Sequence, residues 1–121
     1  MRLSVIPTSQ IPVYRQLYEE IFSQIVSGEL VSGDALPPIR TVSRELGISV
    51  ITVRTAWEAL EADGLIVTRA GSGCFISELD KPSLDEKRKA MLKEPLLQLS
   101  KTAKMFGFSK DELTDLIREN Y

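Results

Sequence analysis

Histidine is absent from this chain, and cysteine occurs once, as Cys74. Without histidine, the commonest general base and the commonest metal ligand are both missing. One cysteine with no imidazole beside it makes neither a Cys/His nucleophilic pair nor a thiolate–imidazole zinc site within a single chain. No paired set of carboxylates stands out from the helix faces to take their place. The sequence therefore argues against an enzyme and against a bound metal or other cofactor. Long apolar runs are missing too, and nothing approaches the roughly 20 residues of a membrane span. The opening Met1-Arg-Leu-Ser-Val-Ile-Pro7 has no long apolar core and does not read as a signal peptide. A lone cysteine cannot form an internal disulfide, and a reducing cytoplasm, away from membranes, is the expected setting.

Lysine is absent from the first 80 residues, where six arginines stand against ten carboxylates. The rest of the chain holds nine basic and seven acidic residues, and the whole carries a formal charge of −2. A nucleic-acid binder usually shows a basic footprint. Here composition does not supply one, so any such function must rest on where the arginines fall.

With 43% apolar and 26% charged residues the chain has the composition of a globular protein. In residues 12–27 the side chains of Tyr14, Leu17, Tyr18, Ile21, Phe22 and Ile25 recur at spacings of three and four. That pattern predicts one amphipathic helix, started at Pro12 and stopped at Gly28, with the stripe packed into a core. A turn-rich connection follows to Pro38. A short helix is expected over 39–46, with Ile39, Val42, Ser43 and Leu46 inward and Arg40 and Arg44 sharing an outer face. Gly47 stops it, and Ser49 is a good N-cap for the next helix. That helix should run from Val50 to Asp63, with Val53, Ala56, Trp57 and Leu60 inward and Ile51, Thr52 and Thr55 outward. Leu65–Thr68 and Cys74–Ser77 read as strands rich in β-branched and aromatic residues. Arg69-Ala-Gly71-Ser72-Gly73 makes the hairpin tip between them.

This order predicts a mainly α fold with a small β-hairpin: a winged helix-turn-helix over 11–79, followed by a short helical segment over 80–121. In the tail, Leu79–Pro82 reads as a linker and Ser83-Leu-Asp-Glu86 as a capping box. Leu84, Met91, Leu92, Leu96, Leu99, Ala103 and Phe106 carry an apolar stripe, and Pro95 predicts a kink or break. Ser109-Lys-Asp-Glu112 is a second capping box, leading into Leu113, Leu116 and Ile117.

A helix of this size enters a major groove, and in helix-turn-helix folds the N-terminal part of the second helix meets base edges. Ser49, Val50, Ile51, Thr52, Arg54 and Thr55 are therefore the candidate base-facing residues. Arg54 suits a guanine edge or a phosphate, and Arg40, at a helix N-terminus, suits a phosphate. Arg44 shares the Arg40 face. Arg69, Gly71, Ser72 and Gly73 form the wing, whose glycines let backbone approach DNA without a Cβ clash. Taken singly, each of these residues also fits a plain surface or turn role. Their combination carries the reading.

The motifs Pro12-Val-Tyr14-Arg-Gln16-Leu, Gly28-Glu-Leu30, Gly33-Asp-Ala-Leu-Pro37, Arg40, Glu45-Leu-Gly47, Thr52-Val-Arg54, Leu60-Glu-Ala-Asp-Gly64-Leu-Ile and Gly71-Ser-Gly73-Cys-Phe75 occur in that order. Through them the chain resembles the GntR family of bacterial transcription regulators, over residues 11 to 78. The resemblance implies a DNA-binding N-terminal domain and a C-terminal dimerisation or effector part, with Arg40, Thr52, Arg54 and the wing glycines at family DNA-contact positions. Three departures stand out. Val50 and Ile51 replace the polar or basic residues common there, and could meet thymine methyl groups or help the core. Ser72 replaces the usual basic residue of the wing, and Pro38 a small polar one.

The short tail resembles that of the YtrA subfamily, which implies regulation, usually repression, of a neighbouring membrane-transporter operon. Two helices of this length do not bury their own apolar stripe, so a second copy of the chain is the expected partner, with folding back onto the winged domain as the competitor. The dimerisation residues would be Leu84, Met91, Leu92, Leu96, Leu99, Ala103, Phe106, Leu113, Leu116 and Ile117. The dimer would present two recognition helices to a two-fold symmetric double-stranded DNA operator. So small a tail leaves the interface between copies as the place for any small-molecule effector. The competing function is a winged-helix module in which Val50 and Ile51 meet a protein instead of DNA.

Overall fold

A computed structural model describes residues 2–121. The residues up to Leu79 form one unit and Asp80–Tyr121 a second. The first unit contains α1 (Val13–Ser27), α2 (Ile39–Leu46), α3 (Val50–Ala62), β1 (Ile66–Arg69) and β2 (Gly73–Ile76). This is a winged helix-turn-helix.

The apolar spacing of α1 seats Leu17, Tyr18, Ile21, Phe22 and Ile25 in the core. Opposite them lie Val53, Ala56, Trp57 and Leu60 of α3, and Leu65, Ile66 and Ile76 close the floor under the hairpin. Tyr14 departs from the expected stripe. It is exposed, because it lies a turn before the point where α1 begins to be covered. α1 and α2 both pack on α3, and α3 on β1. α3 is thus the central helix of the unit, yet its opposite face stays open.

Gly47 makes the helix-turn-helix corner, with φ +67° in the left-handed region that favours glycine. The Ile48 amide then donates to the Ser43 carbonyl at 3.1 Å, and the Ser43 hydroxyl donates back to the Ile48 carbonyl. Ser49 caps α3 by accepting from the Thr52 amide at 3.0 Å.

The hairpin pairs Ile66 with Ile76, Val67 with Phe75, Thr68 with Cys74 and Arg69 with Gly73. Both strands therefore lie one residue earlier or later than the β-rich runs suggest. The connection before α2 also joins β2. Ala35 bridges Phe75, the Leu36 amide donates to the Cys74 carbonyl at 2.9 Å, and the Ile76 amide donates to the Asp34 carbonyl at 2.8 Å. This third edge is invisible to periodicity because one bridged residue makes no alternating pattern.

At the far end of α3, the buried Tyr18 hydroxyl donates to the carboxylate of Asp63, the helix C-cap. Burial first, then the hydrogen bond and charge of Asp63, push the Tyr18 phenol above its ordinary 10.0, with Arg15 opposing. A group raised on folding stabilises fully below its unfolded value and loses that contribution as pH rises. Stability should therefore fall as pH climbs above 10.0. Tyr18→Phe should flatten that alkaline slope, read as thermal midpoints between pH 8 and 11.

The second unit holds α4 (Lys81–Met105) and α5 (Lys110–Asn120). One expectation fails here, and a second fails in part. Asp80, not Ser83, caps α4, accepting from the Ser83 amide at 2.8 Å, so the expected linker already contains the first helical turn with Pro82 in it. Proline is well tolerated there because first-turn amides lack helical partners. Pro95 does not end the helix, which continues past it to Met105. Proline costs the helix the bond to the Met91 carbonyl, a loss that need not end it. The second capping box is present: Ser109 Oγ accepts from the Glu112 amide at 3.1 Å, and the Ser109 amide donates to Glu112 Oε1 at 2.9 Å. The Ser109 amide first, and its hydroxyl second, donate to the Glu112 carboxyl and lower it below its usual range.

Candidate nucleic-acid interface

Three pieces of chain converge beside the open face of α3. They are the Pro37-Pro38 entry to α2, the first two turns of α3, and the tip of the wing. Between them lies an open cleft of about 410 Å³, lined by Leu36, Pro37, Pro38, Ile39, Arg40, Val50, Arg54, Trp57, Ser72, Gly73 and Cys74. Arg40, Val50, Arg54, Ser72 and Gly73, singled out from sequence, thus share one surface feature. Pro37, Pro38, Trp57 and Cys74 form its apolar floor and were not singled out as site residues. Trp57 reads from sequence as core, which it also is at 4% exposure.

The charges on this side are uncompensated. Arg40, Arg44, Arg54 and Arg69 are all exposed. Among the described residues the ion pairs are Arg15–Glu19, Arg88–Asp85 and Arg118–Asp115, and none involves these four arginines. Arg40 lies in the first turn of α2, whose N-cap Pro38 has no side-chain acceptor for the free amides. An uncapped helix start beside a guanidinium favours an anion.

The wing orders its own arginine. Gly73 stands opposite Arg69 and adds no side chain, so the Arg69 guanidinium reaches diagonally to the Phe75 ring, 4.9 Å from its centroid. Such cation–π contact contributes about 0.5–1 kcal/mol at exposed sites. Gly73 takes φ +108° and a Cβ there would meet nothing within 4 Å, so the tip is open to a partner from outside. Phe75 went unnoticed as a site residue because its relation to Arg69 needs the strand register.

The first turns of α3 differ in what they offer. Ser49 and Thr52 share their hydroxyls at 2.9 Å, and Ser49 also holds the Thr52 amide. Thr55 turns its hydroxyl to the Ile51 carbonyl at 2.9 Å. Val50 is half-buried in the cleft, whereas Ile51 is 70% exposed. The two apolar departures are therefore unlike: one joins the cleft wall and the other projects.

In the tail, Leu92, Leu96, Leu99, Phe106, Leu116 and Ile117 are exposed, and Leu84, Met91 and Leu113 are half-buried. Ala103 is the exception, 7% exposed within the single chain. The turn after α4 folds back onto it, the Phe108 amide donating to the Ala103 carbonyl at 2.9 Å. No helix among the described residues is long and apolar enough to cross a membrane. No group of three or more candidate metal ligands occurs among them.

The sequence pattern of bacterial regulatory proteins of the gntR family matches residues 13–76. The HTH-type transcriptional repressor YtrA of Bacillus subtilis is 32% identical over 117 residues, 97% of this chain and 90% of that one. The match thus runs through both units of this chain. The crystal structure of a transcriptional antiterminator from Listeria monocytogenes superposes with a TM-score of 0.72 at 28% identity, covering 99% of this chain and 90% of that one. The DNA-binding domain of AraR, crystallised with operator ORX1, matches 64% of this chain and 99% of its own, with a TM-score of 0.57 and 30% identity. Family pattern, relatives and fold agree: the chain belongs to the GntR family, with a YtrA-type tail, and is a DNA-binding transcriptional regulator rather than an enzyme.

Proposed function

We propose that two copies of this chain bind a two-fold symmetric DNA operator and repress a transporter operon from within the cytoplasm. The observation that carries the DNA contact is the cleft that unites Arg40, Arg54, Ser72 and Gly73, with no acidic partner for either arginine among the described residues. Each copy sets the N-terminal turns of α3 in a major groove. Arg40 and the free amides of α2 hold one phosphate, Arg54 a base edge or a second phosphate, and Arg44 extends the contact along the backbone. The wing backbone at Gly71–Gly73 and the stacked Arg69 follow the adjacent groove. AraR, a relative by fold and sequence, was crystallised on its operator, which supports this mode.

The tail supports the dimer. Leu92, Leu96 and Leu99 recur at four and three residues on α4 and are exposed in the single chain. That spacing keeps the three on one face of the helix. A second copy buries it and sets two recognition helices on half-sites related by the dimer axis. An effector, if the protein responds to one, would act at that interface. Leu96→Glu should weaken dimerisation by roughly 2 kcal/mol or more, about thirtyfold, read by sedimentation equilibrium. A dimer as tight as the parent would count against that face.

The direct test is binding of the purified protein to DNA from upstream of its own gene, against a scrambled duplex, at near-physiological salt. Selective binding with a symmetric protected site is expected. Equal, weak binding to both would count against an operator there. Affinity should fall steeply with salt, as phosphate contacts require, whereas a protein partner would show no such slope.

A further inference from the structure

Ile51 is the most exposed large apolar side chain described in the winged-helix unit, at 70%. It sits in the first turn of α3, next to a cleft that carries two unpaired arginines. Four residues on, Thr55 lies on the same face. Its hydroxyl donates to the Ile51 carbonyl at 2.9 Å, and its methyl group shares the exposed side chain. Ser49 and Thr52 are likewise turned toward each other at 2.9 Å. The leading face of the recognition helix thus presents hydrocarbon at Ile51 and Thr55, beside hydroxyls that bond within the helix and near guanidinium groups.

Such framing suits a polyanion, and within a DNA major groove one base offers hydrocarbon. Thymine carries a C5-methyl group there, whereas cytosine, adenine and guanine show only donors and acceptors. We propose that Ile51, with the Thr55 methyl beside it, reads the C5-methyl of one thymine in each operator half-site. This deepens the DNA-binding reading above and rests on it. Val50 is excluded from that role by its half-buried place in the cleft wall. The specificity so produced is for the methyl itself, so 5-methylcytosine partly replaces thymine and uracil does not.

The test replaces each operator thymine in turn by deoxyuridine, which removes the methyl and keeps every hydrogen-bonding group. The full chain is titrated against these duplexes at fixed salt. One symmetry-related thymine pair should respond, with affinity falling about fourfold per half-site, the scale of one buried methyl-sized group. The Ile51→Ala variant should lose most of the difference between the thymine and uracil duplexes, and Ile51→Val should keep more of it. At the same position the parent should favour 5-methylcytosine over cytosine by a similar factor, and Ile51→Ala should lose most of that preference. Because Ile51 is exposed, both variants should keep the parental thermal midpoint.

A parent indifferent to uracil at every position overturns the proposal, as does an Ile51→Ala variant that keeps the full preference. In either case selective operator binding that is lost in Arg40→Ala/Arg54→Ala leaves the DNA-binding reading standing. A parent that selects no duplex at all removes both.

Discussion

The Arg40→Ala/Arg54→Ala double variant is expected to lose operator binding while remaining folded. Each guanidinium reaching a phosphate or base edge contributes about 1–3 kcal/mol. Losing both weakens binding by roughly a thousandfold per half-site, enough to merge specific with non-specific affinity. The fold should survive because both side chains are exposed and neither takes part in an ion pair or side-chain hydrogen bond among the described residues. A fluorescence titration against operator DNA, with a thermal midpoint on the same sample, checks both halves. The single variants separate the roles. Loss of a phosphate contact lowers the slope of log affinity against log salt by about one. Loss of a base contact relaxes sequence preference at one position. A folded double variant that still selects the operator would place the contact surface elsewhere.

Trp57→Ala is expected to be the most damaging single substitution in the first unit. Trp57 is 4% exposed in the middle of α3, the helix on which α1, α2 and β1 all pack. Truncating a buried tryptophan costs about 3–5 kcal/mol. In a unit of this size each kcal/mol moves the midpoint by about 4–8 °C, so a fall of tens of degrees or outright unfolding should follow. Trp57→Phe keeps most of the volume and should fall much less. The edge of the same ring lines the cleft. As the sole tryptophan, Trp57 should therefore report DNA binding through its own fluorescence. An unchanged midpoint in Trp57→Ala would mean that the packing face of α3 is wrongly placed.

The local patterns of this chain were legible without coordinates where the physics is local. Helix α2 falls at 39–46 as read, because Pro38 and Gly47 bracket a short amphipathic run and both act through their own backbone angles. Ser49 and Ser109 cap their helices as read, since a cap needs only a hydroxyl and an amide three residues on. The α3 core face followed from the 3.6-residue period. Where two local signals competed, the reading failed. Ser83 and Asp80 both suit an N-cap, and Pro82 suits a first turn, which extends the helix back to Asp80. Pro95 reads as a kink or break, and of the two the break does not occur, since the helix runs on to Met105.

What only the tertiary structure decided is what meets across sequence distance. The segment at Ala35 becomes an edge beside Phe75, forty residues away, through backbone bonds that no side-chain pattern announces. The strand register puts Phe75 under Arg69 across a glycine. Val50 and Ile51 are adjacent and alike in sequence. A helix turns successive side chains about 100° apart, so one enters the cleft wall and the other stands clear. Tyr14 and Tyr18 share a helix face, yet one is exposed and the other buried, because only the later turn is covered. By itself the sequence determined the elements, their order and the family, all carried by short-range chemistry and motif spacing. The cleft, its unpaired arginines and the projecting Ile51 exist only once α2, α3 and the wing are packed together, because burial and charge compensation depend on neighbours that the chain order does not name.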